Sequence, residues 1–205
     1  MKLLVATRSA GKQREFRRVL EAGGHEVLFP DDAGLVESIT EESLETADTF
    51  EGNARRKAEY FARLSGLPTV ADDSGLEVFA LGGAPGVRSR RWAGATGDGA
   101  AVDAANNAEL LRRLRGAPVE RRRARYRCVL VFLPTASGIP ESFEGACSGT
   151  ILEEARGTGG FGYDPLFLSD DLGCTFAEAS PAQKDSVSHR GRALAALTGR
   201  LAGPR

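Results

Sequence analysis

A chain of 205 residues can bury a hydrophobic core and lies within the range of one compact domain, taken here as spanning 1–205. Its 27 Lys and Arg against 28 Asp and Glu leave a net charge of -1, which supplies no drive toward a phosphodiester backbone and argues against duplex nucleic acid as a ligand. The 3 cysteines, Cys128, Cys147 and Cys174, form no C-x-x-C pair, and no run approaches the roughly 18 apolar residues of a membrane span, so reduced core thiols and a cytoplasmic enzyme without a membrane partner are expected.

Lys2 to Ala6 reads as a short strand, and Phe16, Val19 and Leu20 continue as a helix that stops at Gly23-Gly24. Val27 to Phe29 is a second short strand, followed by an acidic loop. Phe50, Ala54, Ala58, Phe61 and Ala62 mark one face of a helix between Thr46 and Leu64. Thr69 to Ala71 and Leu76 to Ala80 read as strand pieces flanking Asp72-Asp73-Ser74-Gly75, whose composition is that of a turn. A helix is predicted over Asp103 to Arg115, and alternation from Arg122 to Leu133 gives the clearest strand. Short strands near Ser142 to Glu144 and Gly149 to Glu153 suggest an antiparallel portion, and Arg190 to Leu201 closes as a helix. The arginines from Arg112 to Arg127 and the acids from Asp31 to Glu51 read as two solvated faces. The class is α/β with a mixed sheet.

Four segments carry possible chemistry. Thr7-Arg8-Ser9-Ala10-Gly11-Lys12 joins the first strand to the first helix, where exposed N–H groups and the helix dipole favour an anion; it lacks the first glycine and the Ser/Thr of a Walker A loop. Asp72 and Asp73 offer adjacent carboxylates suited to magnesium, and like charges so close should push their pKa values apart; an acidic turn in solvent is the alternative. Gly157 to Pro165 sets four glycines among Phe161, Tyr163 and Asp164, a composition that lets backbone approach a flat ligand and an aromatic stack on it. Ser188-His189-Arg190-Gly191 places an arginine at the start of the last helix, weak evidence in isolation.

Taken in order, LLVATRSAGKQREF, TFEGNARRKA, ADDSGLEV, LGGAPGVRSRRWAG, RYRCVLVF, GTGGFGYDPLF and SHRGRAL resemble the inosine triphosphate pyrophosphatase family, the non-canonical purine NTP pyrophosphatases, over nearly the whole chain. The resemblance implies an elongated mixed sheet flanked by helices in two lobes with the active site in the cleft between them. It also implies a homodimer and magnesium-dependent hydrolysis of ITP, dITP or XTP to monophosphate and pyrophosphate. By that resemblance Thr7 to Lys12 and Lys57 hold the triphosphate, and Asp73 is the proton acceptor and a metal ligand. Asp72 is a second acidic contact, and Ser74 touches substrate. Phe161 stacks on the purine, and Gly162, Tyr163, Asp164, Lys184, His189 and Arg190 complete the base pocket, Arg190 donating to a 6-keto oxygen.

Two departures from the family pattern stand out. Ser9 replaces an asparagine, and Gly52 replaces a glutamate before Asn53. Water is expected to take the missing carboxylate's place rather than Glu51, which lies about 100° around the helix from position 52. A glutamate at 52 is expected to aid metal binding and to steady the helix. A Maf-type pyrophosphatase acting on modified pyrimidine nucleotides and a nucleotide sensor without turnover are the alternatives.

Overall fold

The computed structural model describes residues 1–203. In chain order the elements are β1 (Lys2–Val5), α1 (Ala10–Ala22), β2 (Glu26–Leu28), the single turn α2 (Thr40–Ser43), α3 (Phe50–Ser65), β3 (Thr69–Val78), α4 (Gly99–Arg113), β4 (Arg123–Leu133), β5 (Glu141–Ile151), β6 (Phe167–Ser169), α5 (Pro181–Val187) and α6 (His189–Ala202), with short 3-10 turns at Phe79–Leu81, Gly86–Arg91 and Val119–Arg122. The strands form one sheet in the order β2-β1-β3-β4-β5-β6. β1 pairs in parallel with β2 and β3, and β5 is antiparallel to β6, so the sheet is mixed, as expected for the α/β class.

Local chemistry sets the helix ends. Thr49 accepts the Gly52 N–H at the start of α3, a cap typically worth about 1 kcal/mol, and Gly66 closes that helix at φ 67. Ser180 and Gln183 form a capping box around Pro181 at the start of α5.

The chain divides into two compact units, with boundaries inside β3, β4 and β5 and at the start of α6. In the first, Leu3 and Val5 join Phe16, Leu20, Cys128, Leu130 and Leu194 in one core cluster, while Leu4 and Ala6 join Ala54, Ala58, Phe61 and Val131 in another. Alternate residues of β1 thus bury both faces, the pattern of a strand covered by helices on each side. In the second, Leu76, Val78, Leu110, Tyr126, Phe167 and Phe176 form the core, with the Tyr126 ring against Phe167 at 4.7 Å between centroids. No helix among the described residues is long and apolar enough to cross a membrane.

Two expectations are corrected. Asp72-Asp73-Ser74-Gly75 is not a turn between strand pieces but the middle of one ten-residue strand, β3. Gly75 is present for close approach rather than for bending: a Cβ there would overlap the Gly86 carbonyl oxygen and the Ser89 hydroxyl, which itself accepts the Leu76 N–H at 2.9 Å. Likewise Ser142 to Glu144 and Gly149 to Ile151 belong to one strand, β5, which ends before Leu152 and Glu153, with Gly149 lying where a Cβ would meet Phe167. We expect Gly75→Ala to lower stability by about 1–3 kcal/mol. Gly99→Ala, at an open first-turn position of α4, should be neutral or stabilising by a few tenths. Urea unfolding of both variants reads the contrast.

Candidate active site

Because β3 is extended, Asp72 and Asp73 project to opposite faces and meet different partners. Asp72 is 1% exposed; its Oδ1 accepts from Lys12 Nζ at 2.7 Å, and its Oδ2 from Arg190 Nε and Nη2 at 3.1 and 3.0 Å. Burial alone would raise this carboxyl, but Lys12, Arg190 and Lys57 outweigh it and hold Asp72 far below the usual carboxylate range. Asp73 Oδ2 accepts from Asn53 Nδ2 at 2.8 Å, and Lys57 Nζ stands 3.5 Å from Oδ1. Here burial wins over Lys57 and Lys12, with Glu45 adding repulsion, so the Asp73 carboxyl is raised. The pair splits, through different surroundings rather than mutual repulsion, into a fixed anion and a carboxylate better able to accept a proton.

Lys57 is the hub of this cluster. Its Nζ donates to Glu45 at 2.8 Å and to the Asp72 carbonyl at 2.5 Å. Burial opposes its charge, but Glu45, Asp73 and Asp72 prevail and keep it protonated. The Cys128 thiol lies 3.9 Å from Asp72 and is pushed up by burial, then by that carboxylate, which makes it inert, as expected of a core thiol.

Ser9 precedes α1 with extended backbone and makes no side-chain cap, whereas Thr49, Asp98 and Ser180 cap α3, α4 and α5. Ser9 thus gives the first-turn amides of α1, from exposed Ala10 and buried Gly11 onward, no side-chain acceptor, which is the arrangement of a helix N-terminus suited to an anion. Thr7 shapes this loop, its hydroxyl accepting the Ser9 N–H at 3.2 Å. Arg8 turns elsewhere. Its guanidinium forms a two-point pair with Glu41 at 2.8 Å, reaches the Leu35 carbonyl at 2.9 Å and pairs with Asp31, pinning the acidic loop to the phosphate-type turn.

The glycine-rich segment is built within the second unit. Asp164 Oδ2 accepts the Phe161 N–H at 2.8 Å and the Lys184 ammonium at 2.5 Å, and that ammonium lies 4.8 Å from the Phe161 ring centre. Tyr163 is buried and donates its hydroxyl to the Ser89 carbonyl at 2.8 Å, so it anchors the loop. Gly162 takes φ 65, which an L side chain would resist. His189 stacks on Tyr126 at 4.6 Å.

The structure gives other sequence-predicted residues the following surroundings. Arg190, expected at the base, is 2% exposed and binds Asp72 and, at 2.5 Å, Glu15. Ser74 follows Asp73 in β3 and is partly exposed. Glu51 accepts from Ser142 Oγ at 2.8 Å and lies 3.9 Å from Arg55. Sequence reasoning missed Glu45 and Asn53, which flank Asp73; a carboxylate eight residues before the amphipathic helix's asparagine was the available signal. The expectation that glutamate at 52 would steady α3 is also overturned, because a Cβ there would stand 2.9 Å from the Ala47 methyl. Among the described residues no three His, Cys, Asp or Glu side chains converge as a ready-made metal cage.

An α/β sheet with an uncapped strand-to-helix turn, paired lysines and two carboxylates in different surroundings is a set of groups suited to phosphate anhydrides. A Ham1 family model matches residues 3–200, and the chain belongs to that family. The dITP/XTP pyrophosphatase of Syntrophobacter fumaroxidans is 51% identical over 95% of this chain and 79% of the relative; that of Mannheimia succiniciproducens is 44% identical over 98% of both. Among solved structures, a HAM1 protein from Coxiella burnetii gives a TM-score of 0.83 at 34% identity over 98% of each chain. The dITP/XTP pyrophosphatase from Mycobacterium abscessus gives 0.72 at 45% identity, over 96% of this chain and 98% of the other.

The two aspartates should separate cleanly in stability. Asp72→Asn leaves buried Arg190 and Lys12 short of their counter-charge and should cost about 3–5 kcal/mol at pH 7. Since the folded pKa of Asp72 is depressed, its contribution is complete above about pH 4 and is lost as pH falls below that, so the gap to wild type should narrow in acid. Asp73 has the opposite sign, its charged form being the disfavoured one, so Asp73→Asn should leave stability at pH 7 unchanged or slightly raised. Urea titrations at pH 7 and pH 3.5 or so check both signs.

Proposed function

We propose that this chain hydrolyses non-canonical purine nucleoside triphosphates (ITP, dITP and XTP) between the α and β phosphates. The products are a nucleoside monophosphate and pyrophosphate. The observation that carries the reading is the opposed tuning of Asp72 and Asp73 beside Lys12 and Lys57, supported by relatives named dITP/XTP pyrophosphatases. The α1 amides and Lys12 take the triphosphate. Asp73, its carboxyl raised by burial and held by Asn53, accepts the proton of the attacking water. The water oxygen bonds to the α phosphorus as the bond to the bridging oxygen breaks, and the negative charge leaves on pyrophosphate beside Lys12 and Lys57.

Magnesium is part of this proposal. Asp73 and Glu45 crowd one ammonium, and that excess of oxygen charge suits a hard cation completed by water and phosphate. Asp72, with both oxygens on cations, is better suited to bracing than to metal binding. When bound, magnesium would neutralise phosphate charge and polarise the α phosphoryl oxygen.

For the base, Phe161 is the stacking platform and Lys184 the donor that meets a 6-keto oxygen, taking over the role first given to Arg190. An adenine amino group would set donor against donor at about 1–3 kcal/mol per lost bond. The homodimer and the cytoplasmic location expected from the sequence stay within the proposal; sedimentation velocity tests the first.

ITP and XTP should exceed ATP in kcat/KM by at least about tenfold, and comparable values would remove the base reading. Asp73→Asn should lower kcat about 10²–10⁴-fold with substrate affinity retained. In magnesium titrations at saturating ITP, Glu45→Gln should raise the half-saturating concentration whereas Glu51→Gln should match wild type; the reverse order would move the metal site to Glu51.

A further inference from the structure

Gly162 is gripped from α4 at both of its backbone groups. Its N–H donates to Asp103 Oδ2 at 2.7 Å, and its carbonyl accepts from Asn107 Nδ2 at 3.0 Å. The two side chains are four residues apart on α4, hence on one face of the helix, and offer one acceptor and one donor in the order a single residue's N–H and C=O require. The flanking residues are fixed by other means: Gly159 N–H reaches the Ala177 carbonyl at 3.0 Å, and Phe161 N–H reaches Asp164. Gly162, at φ 65 and without a side chain, has only its backbone by which to be held.

The Asn107 amide carries a cost that packing does not explain. Its Oδ1 is buried, and no hydrogen-bond donor among the described residues reaches it. An apolar side chain at 107 would avoid that desolvation but could not donate to the Gly162 carbonyl as Nδ2 does. Turning the amide over would set oxygen against the Gly162 carbonyl, so the loop itself dictates its orientation.

We infer that Asp103 and Asn107 are positioning residues for base recognition: by clamping Gly162 they fix the Phe161 ring on one side and the Asp164 carboxylate with Lys184 on the other. Base selectivity is then set partly from α4, by side chains that need not touch the substrate. This inference rests on the purine reading of Phe161 and Lys184 given above.

The test measures kcat and KM for ITP and ATP, and the inhibition constant of inorganic triphosphate, in wild type, Asn107→Leu, Asp103→Leu and Asp103→Asn. The leucine variants should raise the KM for ITP about five- to tenfold, the worth of one such hydrogen bond, and shrink the ITP-to-ATP ratio accordingly. Their inhibition by triphosphate should stay within about twofold, and Asp103→Asn, whose amide oxygen still accepts the Gly162 N–H, should retain most of the selectivity. A merely structural role would instead lower kcat for both nucleotides with their ratio intact, and that result overturns the inference while leaving the purine reading in place. A wild-type enzyme that does not separate ITP from ATP overturns both. Should a leucine variant fail to fold, Asn107→Asp, which keeps the size and opposes the Gly162 carbonyl with a carboxylate oxygen, decides by the same readouts.

Discussion

The chemistry of this protein depends on the extended backbone of β3 at Asp72 and Asp73. A strand turns successive side chains to opposite faces, so two neighbouring acids that would repel each other in a turn are given separate surroundings. One face supplies Lys12 and Arg190, the other Asn53 and Lys57. Asp72 becomes a buried anion that orders the cations around it, and Asp73 a buried acid whose ionisation is costly. Neither property belongs to the residue type. Both follow from which face the strand assigns.

Buried charge of this kind is poor value as a source of stability. Arg190, almost wholly excluded from water, loses its hydration to meet Asp72 and Glu15, and well-packed apolar residues would serve folding at least as well. The network makes sense as preorganisation, because it holds Lys12 at the mouth of the uncapped α1 amides and keeps Asp72 ionised whatever binds there. Arg8 serves the same end, its pairs with Glu41 and Asp31 fastening the loop that leads to Glu45.

Much of the fold was legible because it rests on local pattern. The apolar faces of α1 and α3, the alternation in β4 and the terminal helix all carry their period in the sequence, and the glycine-rich segment declared itself by composition. What misled was chemistry that is local in type but non-local in cause. Asp, Ser and Gly favour turns, yet Ser74 and Gly75 stay extended because the Gly86 to Ser89 segment packs directly on the strand, a contact that local propensity cannot report. The partners of Asp73 were hidden for the same reason: Asn53 lies twenty residues away and acts through its amide, a group with no charge to draw notice. Arg190 was assigned to a base because arginines recognise bases and phosphates; its burial against two acids was visible only in three dimensions.

The glycine at position 52 and the carboxylate at position 45 are best understood as one feature. Asn53 uses its two amide ends at once, accepting the Ala47 N–H at 2.8 Å through Oδ1 while donating to Asp73 through Nδ2. The first bond folds the chain before α3 tightly back on the helix, and the closeness that results leaves no room for a Cβ at 52 against the Ala47 methyl. It also sets Glu45, two residues before Ala47, within 2.8 Å of Lys57. A larger residue at 52 would loosen the turn that delivers Glu45. The small residue at 52 and the Glu45 carboxylate at Lys57 are therefore coupled through the packing of Ala47, and the loop before α3 is what brings acidic character to the site.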